Sequence, residues 1–261
     1  MTLFGSDNQQ PKSFPPGVGV ALFLLLAVAL WQLVAMAIGA SYIVPTPVQV
    51  LMRALELVVA PSFWMTVAWS LLRVLAGFAC GMFVGTGLAI PMAESSRLRS
   101  IFSPFIKVIR TVPVVCFILL LLLWVRADWL PALVSALMVV PVAWTGTVEA
   151  LDALDQDMIE LAHVFQLSTS KRLFKLYLPA IAPQLLSTAA VGLGLAWKSA
   201  ITAEALALPL KGMGTDIYHA KIALEATDIF VWALVIVAIS LLMETAIRAW
   251  SRHFSEWGSA S

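Results

Sequence analysis

The chain has 261 residues, of which 61% belong to the hydrophobic set and only 12% are charged. Soluble domains carry about 25% charged residues, so this composition excludes an ordinary water-soluble fold. The formal net charge is +1, from 16 basic and 15 acidic residues. Nothing in that balance indicates a nucleic acid partner, and the first partner to expect is the lipid bilayer.

The first long apolar segment extends from Val18 to Ala40 and follows a polar, proline-rich stretch at residues 1–17. Its length of about 23 residues exceeds the apolar core of a cleavable signal peptide, which has about 7 to 15 residues. The sequence therefore predicts an uncleaved first helix, preceded by a cytoplasmic tail at residues 1–17.

Five further segments are also long and apolar enough to cross a membrane, which takes about 20 residues of helix. Helices are expected because a backbone in lipid must satisfy its own hydrogen bonds. The predicted fold class is therefore all-α, a polytopic membrane protein with about six transmembrane helices. They lie near residues 18–40, 64–91, 101–125, 129–148, 183–208 and 229–250, within one membrane domain at 18–250, and a tail follows at 251–261.

The distribution of lysine and arginine predicts the orientation of the chain. Cytoplasmic loops retain these residues during insertion. With the N-terminus inside, ten of the sixteen basic residues fall on the cytoplasmic side. Both termini are therefore predicted to be cytoplasmic.

Small residues and prolines mark two of the predicted spans. Gly77, Gly81 and Gly85 recur every fourth residue in the second span, so another helix should pack on that face, either in the same subunit or in a second copy. Pro104 and Pro113 interrupt the third span, where proline removes a hydrogen bond and favours a kink.

Charged residues inside the spans are the first candidates for a function. Lys198 lies near the middle of the fifth span, where a charge costs at least about 2.5 kcal/mol and needs water or a partner. It could line a pathway for an anionic solute, with Trp197 and Thr202 nearby, or form a structural ion pair with another helix. Glu204, also a pathway candidate, lies about 240° further around the helix. Arg73 is expected to reach water from the outer end of the second span.

No catalytic, metal or cofactor site is evident in the sequence. Cys80 and Cys116 lie in apolar stretches without a metal or redox motif, and we expect buried thiols. The phosphate-binding pattern GxxxxGK[ST] is absent, so the chain should not bind ATP itself.

The loop at residues 149–182 is the longest predicted cytoplasmic segment and has a helical pattern. Apolar residues recur with helical spacing from Met158 to Phe165, and a second short helix is predicted from Lys171 to Leu178. These two helices could simply lie on the membrane surface, with the basic one attracted to anionic lipid.

The residues of this loop carry a family resemblance. Glu160-Leu161-Ala162, then Gln166, then Leu176-x-Leu178-Pro179 resembles the EAA loop of bacterial ABC importer permeases, and the spacing from glutamate to proline matches without a gap. Gln166 replaces the glycine of the pattern, which could change the angle between the helices. Further similarity to the nitrate, sulfonate and taurine branch lies in Pro45-Thr46-Pro47, Arg73 to Phe78, Arg97-Leu98-Arg99, Ala203-Glu204 and Gly212-Met213-Gly214.

The resemblance implies a type I ABC importer permease fold in the bacterial inner membrane, with alternating access driven by ATP. It implies cytoplasmic ATPase subunits, an extracytoplasmic solute-binding protein and a second permease copy, most simply in a homodimer. The residues that it assigns to ATPase coupling are Glu160, Ala162, His163, Gln166, Lys171, Leu178 and Pro179. The implied solute is small and anionic, like a sulfonate, taurine or nitrate, with a thiamine precursor as an alternative.

Two other classes of function would make different demands on the sequence. An ion-coupled secondary transporter would use Lys198 and Glu204 as coupling charges, but would have no need of the EAA spacing. An intramembrane enzyme would need paired catalytic groups at one depth, whereas His163, His219 and His253 all fall outside the predicted spans.

Overall fold

Helices form almost all of the part of the chain that the computed structural model describes, residues 16–155 and 168–258. No strand occurs in these residues. The helices are α1 (Pro16–Ile38), α2 (Pro47–Val59), α3 (Pro61–Glu94), α4 (Ser96–Thr111), α5 (Val114–Leu121), α6 (Leu130–Asp152), α7 (Thr169–Arg172), α8 (Leu178–Ala207), α9 (Met213–Ile222) and α10 (Ala226–Gly258). A π-helical turn, Leu173–Tyr177, joins α7 to α8.

Five helices are long and apolar enough to cross a membrane, namely α1, α3, α6, α8 and α10. The pair α4 and α5 meets this criterion only together, and the two helices bend by 96° at their break. Counting that pair as one span gives six, and each span overlaps a predicted segment. The all-α class with about six spans is confirmed.

The third span, predicted near residues 101–125 with a kink at its prolines, is broken into two helices. Helix α4 ends at Thr111, and Val112 has the extended angles φ −75° and ψ 129°. Pro113 explains this break, because proline disfavours the helical conformation in the residue before it and has no N–H. Pro104, in contrast, lies inside α4. Only one of the two prolines therefore interrupts the helix.

Helices α3 and α6 pack with their backbones in contact, and glycine makes this possible. A Cβ atom on Gly77 would lie 2.3 Å from the Ala132 carbonyl oxygen, and one on Gly85 would lie 2.6 Å from the Ala143 Cβ atom. Gly81 lies between them and meets the same helix. Because residue numbers rise in the same direction along both helices, α3 and α6 are parallel. The chain between them, α4 and α5, must therefore return to the opposite side.

Helix α8 is antiparallel to this pair and completes the core. Near its start Thr188 contacts Gly146 of α6, and near its end Glu204 contacts Arg73 of α3. Between these points, Trp197 is buried in an apolar cluster that contains residues of α3, α6 and α10. Helix α1 has few such contacts and is exposed along most of its length.

The connecting segments gather at two opposite ends of the bundle. Helices α2 and α9, which the sequence did not predict, lie at one end with the segments 122–129 and 208–212, and we call this the α9 end. There Arg53 of α2 binds Asp228 of α10 at 2.6 and 3.0 Å. The other end contains α7 and is called the α7 end. There Arg99 of α4 forms an ion pair of 2.8 Å with Asp152 of α6.

Two further expectations from the sequence need correction. The second short helix of the loop is not separate, because α7 and the π-helical turn continue directly into α8, and the spanning helix extends over Leu173–Ala207. Cys80 and Cys116 are exposed on the surface of the bundle, not buried as expected. Both lie within spans, where lipid replaces a protein interior as the apolar surrounding.

Candidate functional site

One face of α8 exposes polar residues on both sides of an apolar middle that consists of Val191 and Leu195. Gln184, Ser187, Val191, Leu195 and Lys198 are all exposed and recur every three or four residues, so they share one helix face. Thr202 continues this face and is half-exposed. We call these six residues the α8 stripe. A span that contacts only lipid should not expose glutamine and lysine, so the stripe indicates contact with water or with another polar surface.

The half of the stripe nearer the α7 end borders a cavity of about 510 Å³ between α4, α6 and α8. Its polar lining includes Arg110, Thr145, Glu149, Gln184 and Ser187. The Arg110 guanidinium donates a hydrogen bond of 3.5 Å to the Thr145 hydroxyl, which itself donates to the backbone at 2.7 Å. The break at Pro113 positions this arginine, because α4 ends one residue after it.

The other half of the stripe borders a cavity of about 420 Å³ between α8 and α10, lined by Lys198 and Glu244 among others. The Thr202 hydroxyl donates to the backbone oxygen of Lys198 at 2.8 Å. No ion pair of Lys198 within 4.0 Å is found among the described residues. Lys198 is exposed on the open side of α8.

The other two pathway candidates lie on the opposite side of the same helix. Trp197 and Glu204 are only 3% and 1% exposed. Trp197 packs in the apolar core, whereas Glu204 forms polar contacts with α3 and with the start of α9. The structure thus separates Lys198 and Thr202, which face outward, from Trp197 and Glu204, which face inward.

Glu204 is the centre of a buried polar network at the α9 end. Its carboxylate accepts hydrogen bonds from the Arg73 guanidinium at 3.0 Å, the Ser70 hydroxyl at 2.8 Å and the Gly214 N–H at 3.1 Å. Arg73 also donates to the Asp128 backbone oxygen at 3.0 Å and to that of Lys211. Arg73 is only 7% exposed, so the expectation that it reaches water is wrong. A buried charge is stable only when it is paired and hydrogen-bonded, and this network meets both conditions.

Sequence reasoning treated Arg73 and Glu204 separately and therefore missed the network. The available signal was one basic and one acidic residue in two apolar spans, which is costly unless they pair. Gly212, directly before α9, and Gly214, in its first turn, both pack against Glu204. A Cβ atom on Gly212 would lie 2.7 Å from the Glu204 Cδ atom, and one on Gly214 would lie 2.4 Å from the Ile201 backbone oxygen. Only glycine allows this segment to approach the carboxylate so closely.

A cavity of about 400 Å³ at the α9 end is acidic, unlike the cavities that contain Lys198 and Arg110. Its lining includes Asp216, Glu225 and Asp228 together with His219. Burial raises the pKa of Asp216, which lies in α9 outside the spans, while a hydrogen bond from Thr66 and the charge of His219 act in the other direction. This acidic lining is unsuited to an anion. The cavity is therefore distinct in character from those along the α8 stripe.

The predicted ATPase-coupling residues fall partly within the described chain. Lys171 and Pro179 are exposed at the α7 end, and Leu178 is half-buried. Tyr177 between them is buried in a cluster with residues of α6, which fixes the start of α8 to the bundle. The remaining four, Glu160, Ala162, His163 and Gln166, lie outside the described residues.

A helical bundle whose spans include one helix with exposed glutamine and lysine is typical of a membrane transport protein. Comparison with known proteins identifies the kind. Residues 77–257 match the family of binding-protein-dependent transport system inner membrane components. The chain belongs to this family and is the permease subunit of an ABC importer.

Relatives of similar length support this assignment. The taurine transport system permease protein of Escherichia coli is 25% identical, over 95% of this chain and 92% of its own. The nitrate import permease protein of Synechocystis sp. is 27% identical, over 91% of this chain and 87% of its own. The bicarbonate transport system permease protein of Synechococcus elongatus is 27% identical, over 74% of this chain and 69% of its own.

Solved structures show the same fold. The MetNI methionine ABC transporter in an inward-facing conformation contains a chain with a TM-score of 0.59 and 19% identity, covering 74% of this chain and 94% of that one. An amino acid ABC transporter gives a TM-score of 0.52 at 19% identity, covering 79% of this chain and 96% of that one. The predicted ABC importer permease fold is confirmed.

Proposed function

We propose that two copies of this chain bring their α8 stripes together and form between them the pathway for a small anionic solute. The observation that carries the proposal is Lys198, an exposed cation in the middle of a spanning helix. In lipid this charge would cost at least about 2.5 kcal/mol, whereas in a water-filled pathway it retains its hydration. A homodimer gives the stripe such a surrounding, because the second copy shields it from lipid.

Charge along the stripe supports an anionic solute. Lys198 and Arg110 border the two cavities on the open side of α8, and each is exposed. The named solutes of the relatives, taurine, nitrate and bicarbonate, each carry an anionic group. Glu149 and Glu244 lie in the same cavities and limit the net positive charge, so a solute would be attracted without being held tightly. A thiamine precursor is the alternative, to be tested by competition.

Membership of the family implies ATPase subunits and a solute-binding protein as partners. We propose that the ATPase subunits bind at the α7 end, through Lys171, Leu178, Pro179 and the adjoining loop with Glu160 and His163. The α7 end is then cytoplasmic, as are both termini, and the binding protein delivers solute at the α9 end. ATP hydrolysis belongs to the ATPase subunits, and this chain carries out no covalent step.

Uptake by the reconstituted complex, with its ATPase and binding protein, tests the role of Lys198. We expect Lys198→Met to reduce uptake of an anionic solute by about tenfold, because one favourable charge contact is worth about 1.4 kcal/mol. Lys198→Arg should restore uptake, and Lys221→Met, which removes an exposed cation of α9 outside the stripe, should have no effect. If Lys198→Met prevents assembly, and removal of a carboxylate on another helix restores it, Lys198 forms a structural ion pair instead.

Thiol labelling tests the pathway independently of the solute. In a Cys116→Ala background, native Cys80 lies on the exposed surface of α3, while Leu195→Cys places a thiol on the α8 stripe. A membrane-impermeant thiol reagent should modify position 195 and leave Cys80 unmodified. Modification of Cys80 but not of position 195 would show that lipid covers the α8 stripe and would contradict the proposed pathway.

A further inference from the structure

A groove of about 570 Å³ opens on the outside of the bundle at the α9 end, between α3 and α6. Its walls are Trp69 and Leu72 of α3 together with Trp129, which directly precedes α6, and Ala132 of α6. The two tryptophans are 44% and 69% exposed. None of these four residues belongs to the α8 stripe, so the groove is separate from the proposed pathway.

The groove lies on a surface that contacts lipid. Between Trp64 and Leu88 every exposed residue of α3 is apolar or aromatic, which is the composition of a face towards the hydrocarbon core. The groove is at the boundary of that core, because α6 begins at Leu130 and α8 ends at Ala207. Tryptophan favours this depth, where its ring contacts both lipid chains and headgroups.

The rim of the groove is positively charged. Arg126 has an 81% exposed side chain, and Lys211 is also exposed. Asp128 lies 3.9 Å from Arg126 and 3.7 Å from Arg73, which is itself paired with the buried Glu204. The pair of Arg73 and Glu204 is neutral in sum, and Asp128 offsets one of the two exposed cations. The rim therefore has a net charge of +1.

We infer that this groove binds one anionic phospholipid such as phosphatidylglycerol. The headgroup phosphate binds between Arg126 and Lys211, and an acyl chain lies along Leu72 and Ala132 between the tryptophan rings. A single negative charge complements the net charge of the rim, and the apolar floor continues into the lipid-facing surface of α3. A zwitterionic phospholipid lacks the net charge that the rim attracts.

The bound lipid would contact the network that joins α3 to α8. Arg73 lines the groove on one side and holds Glu204 on the other, and the backbone of Lys211 accepts a hydrogen bond from the same guanidinium. A phosphate at Lys211 thus reinforces the segment that closes over Glu204. The groove lies at the membrane boundary, so binding of a lipid there requires neither the solute nor the proposed pathway.

Native mass spectrometry of the delipidated permease–ATPase complex, titrated with phosphatidylglycerol or phosphatidylcholine, tests this site. Each cation near a membrane surface contributes about fivefold, so the double variant Arg126→Gln with Lys211→Gln should retain phosphatidylglycerol about 30-fold more weakly. Lys221→Gln, which removes an exposed cation at the same end outside the groove, should bind like the wild type. Equal retention in the double variant and the wild type, or equal retention of the two lipids, would overturn the inference.

A photo-crosslinking residue in place of Leu210, which is 89% exposed at the rim, gives a second readout in an otherwise native chain. Irradiation in membranes should produce an adduct with the mass of a phospholipid. A crosslink to a second copy of this chain or to another protein, without a lipid adduct, would show that a protein occupies the groove and would refute the lipid site.

Discussion

Helices α3 and α8 contact each other through a buried ion pair, yet their exposed faces differ completely in chemistry. The exposed face of α3 is apolar or aromatic from Trp64 to Leu88 and includes no charge. The exposed face of α8 contains Gln184, Ser187 and Lys198 over a shorter stretch of helix. A residue that is exposed on an isolated membrane subunit can therefore face either lipid or a polar surrounding. The residue types on the exposed face indicate which of the two covers it.

This difference also explains where polar residues of α3 are found. Thr66, Ser70 and Arg73 are all buried, and the hydroxyl of Ser70 and the guanidinium of Arg73 both bind Glu204. A helix in lipid must direct its polar groups inward, because an unsatisfied polar group in hydrocarbon costs several kcal/mol. Helix α8 can leave polar groups outside only if something other than lipid meets them.

The strongest way to disturb both helices is to break the ion pair between them. We expect Glu204→Ala to lower the free energy of unfolding by about 3–5 kcal/mol, because it leaves the Arg73 charge buried without a partner. Thermal unfolding of the purified complex measures this loss. Replacing both residues by methionine should recover part of it, and Glu225→Ala, at an exposed carboxylate, should change little. An unchanged melting temperature for Glu204→Ala would show that the pair contributes no stability.

Placing a lysine on each exposed face sharpens the contrast. Leu75→Lys puts a charge on the lipid-facing side of α3 and should cost about 2.5–3.5 kcal/mol of insertion free energy. Leu195→Lys puts the same charge on the α8 stripe, where we expect assembly to proceed. The amount of each variant recovered from membranes gives the comparison. Equal losses at the two positions would mean that lipid covers both faces.

The smallest expected effect concerns the glycines of α3. Gly81→Ala would place a Cβ atom 2.6 Å from the Val139 Cβ atom, so the helices must separate at a cost of about 1–3 kcal/mol. Gly87 has nothing within 4 Å of the same position, and Gly87→Ala should be neutral. Thermal stability of the two variants tests whether close packing with α6 requires glycine. If Gly87→Ala lowers the thermal stability as much as Gly81→Ala does, another protein surface must pack against Gly87 in the complex.

The number and order of the spans could be predicted from the sequence because apolar runs of this length have few alternatives. A kink in the third span was also predicted, from Pro104 and Pro113. Its size of 96° and its position could not be, since the two prolines look equivalent in sequence and only the second breaks the helix. The small helices α2 and α9 were also missed, because short helices outside the membrane have no long apolar run to mark them. Their boundaries depend on local contacts such as that between Arg53 and Asp228.

The candidate site was predicted in part. The sequence drew attention to Lys198 through its charge and to Glu204 through its family motif, and it correctly placed them on different faces. It did not indicate that Glu204 is neutralised by Arg73, because the two are far apart in the chain and only the fold brings them within 3.0 Å. The exposed stripe itself required the structure, since helical spacing alone does not tell which face of α8 is open.

The unbroken path of helix from α7 through α8 has a mechanical consequence. The contact between Thr188 and Gly146 lies about 29 Å along the helix from Thr169 and about 24 Å from Glu204. The helix is also held at Tyr177 near its start and at Glu204 near its end. A displacement imposed at Thr169 would therefore move α8 together with α3 and α6 as one body, and would reach the opposite end of the bundle without a hinge in between.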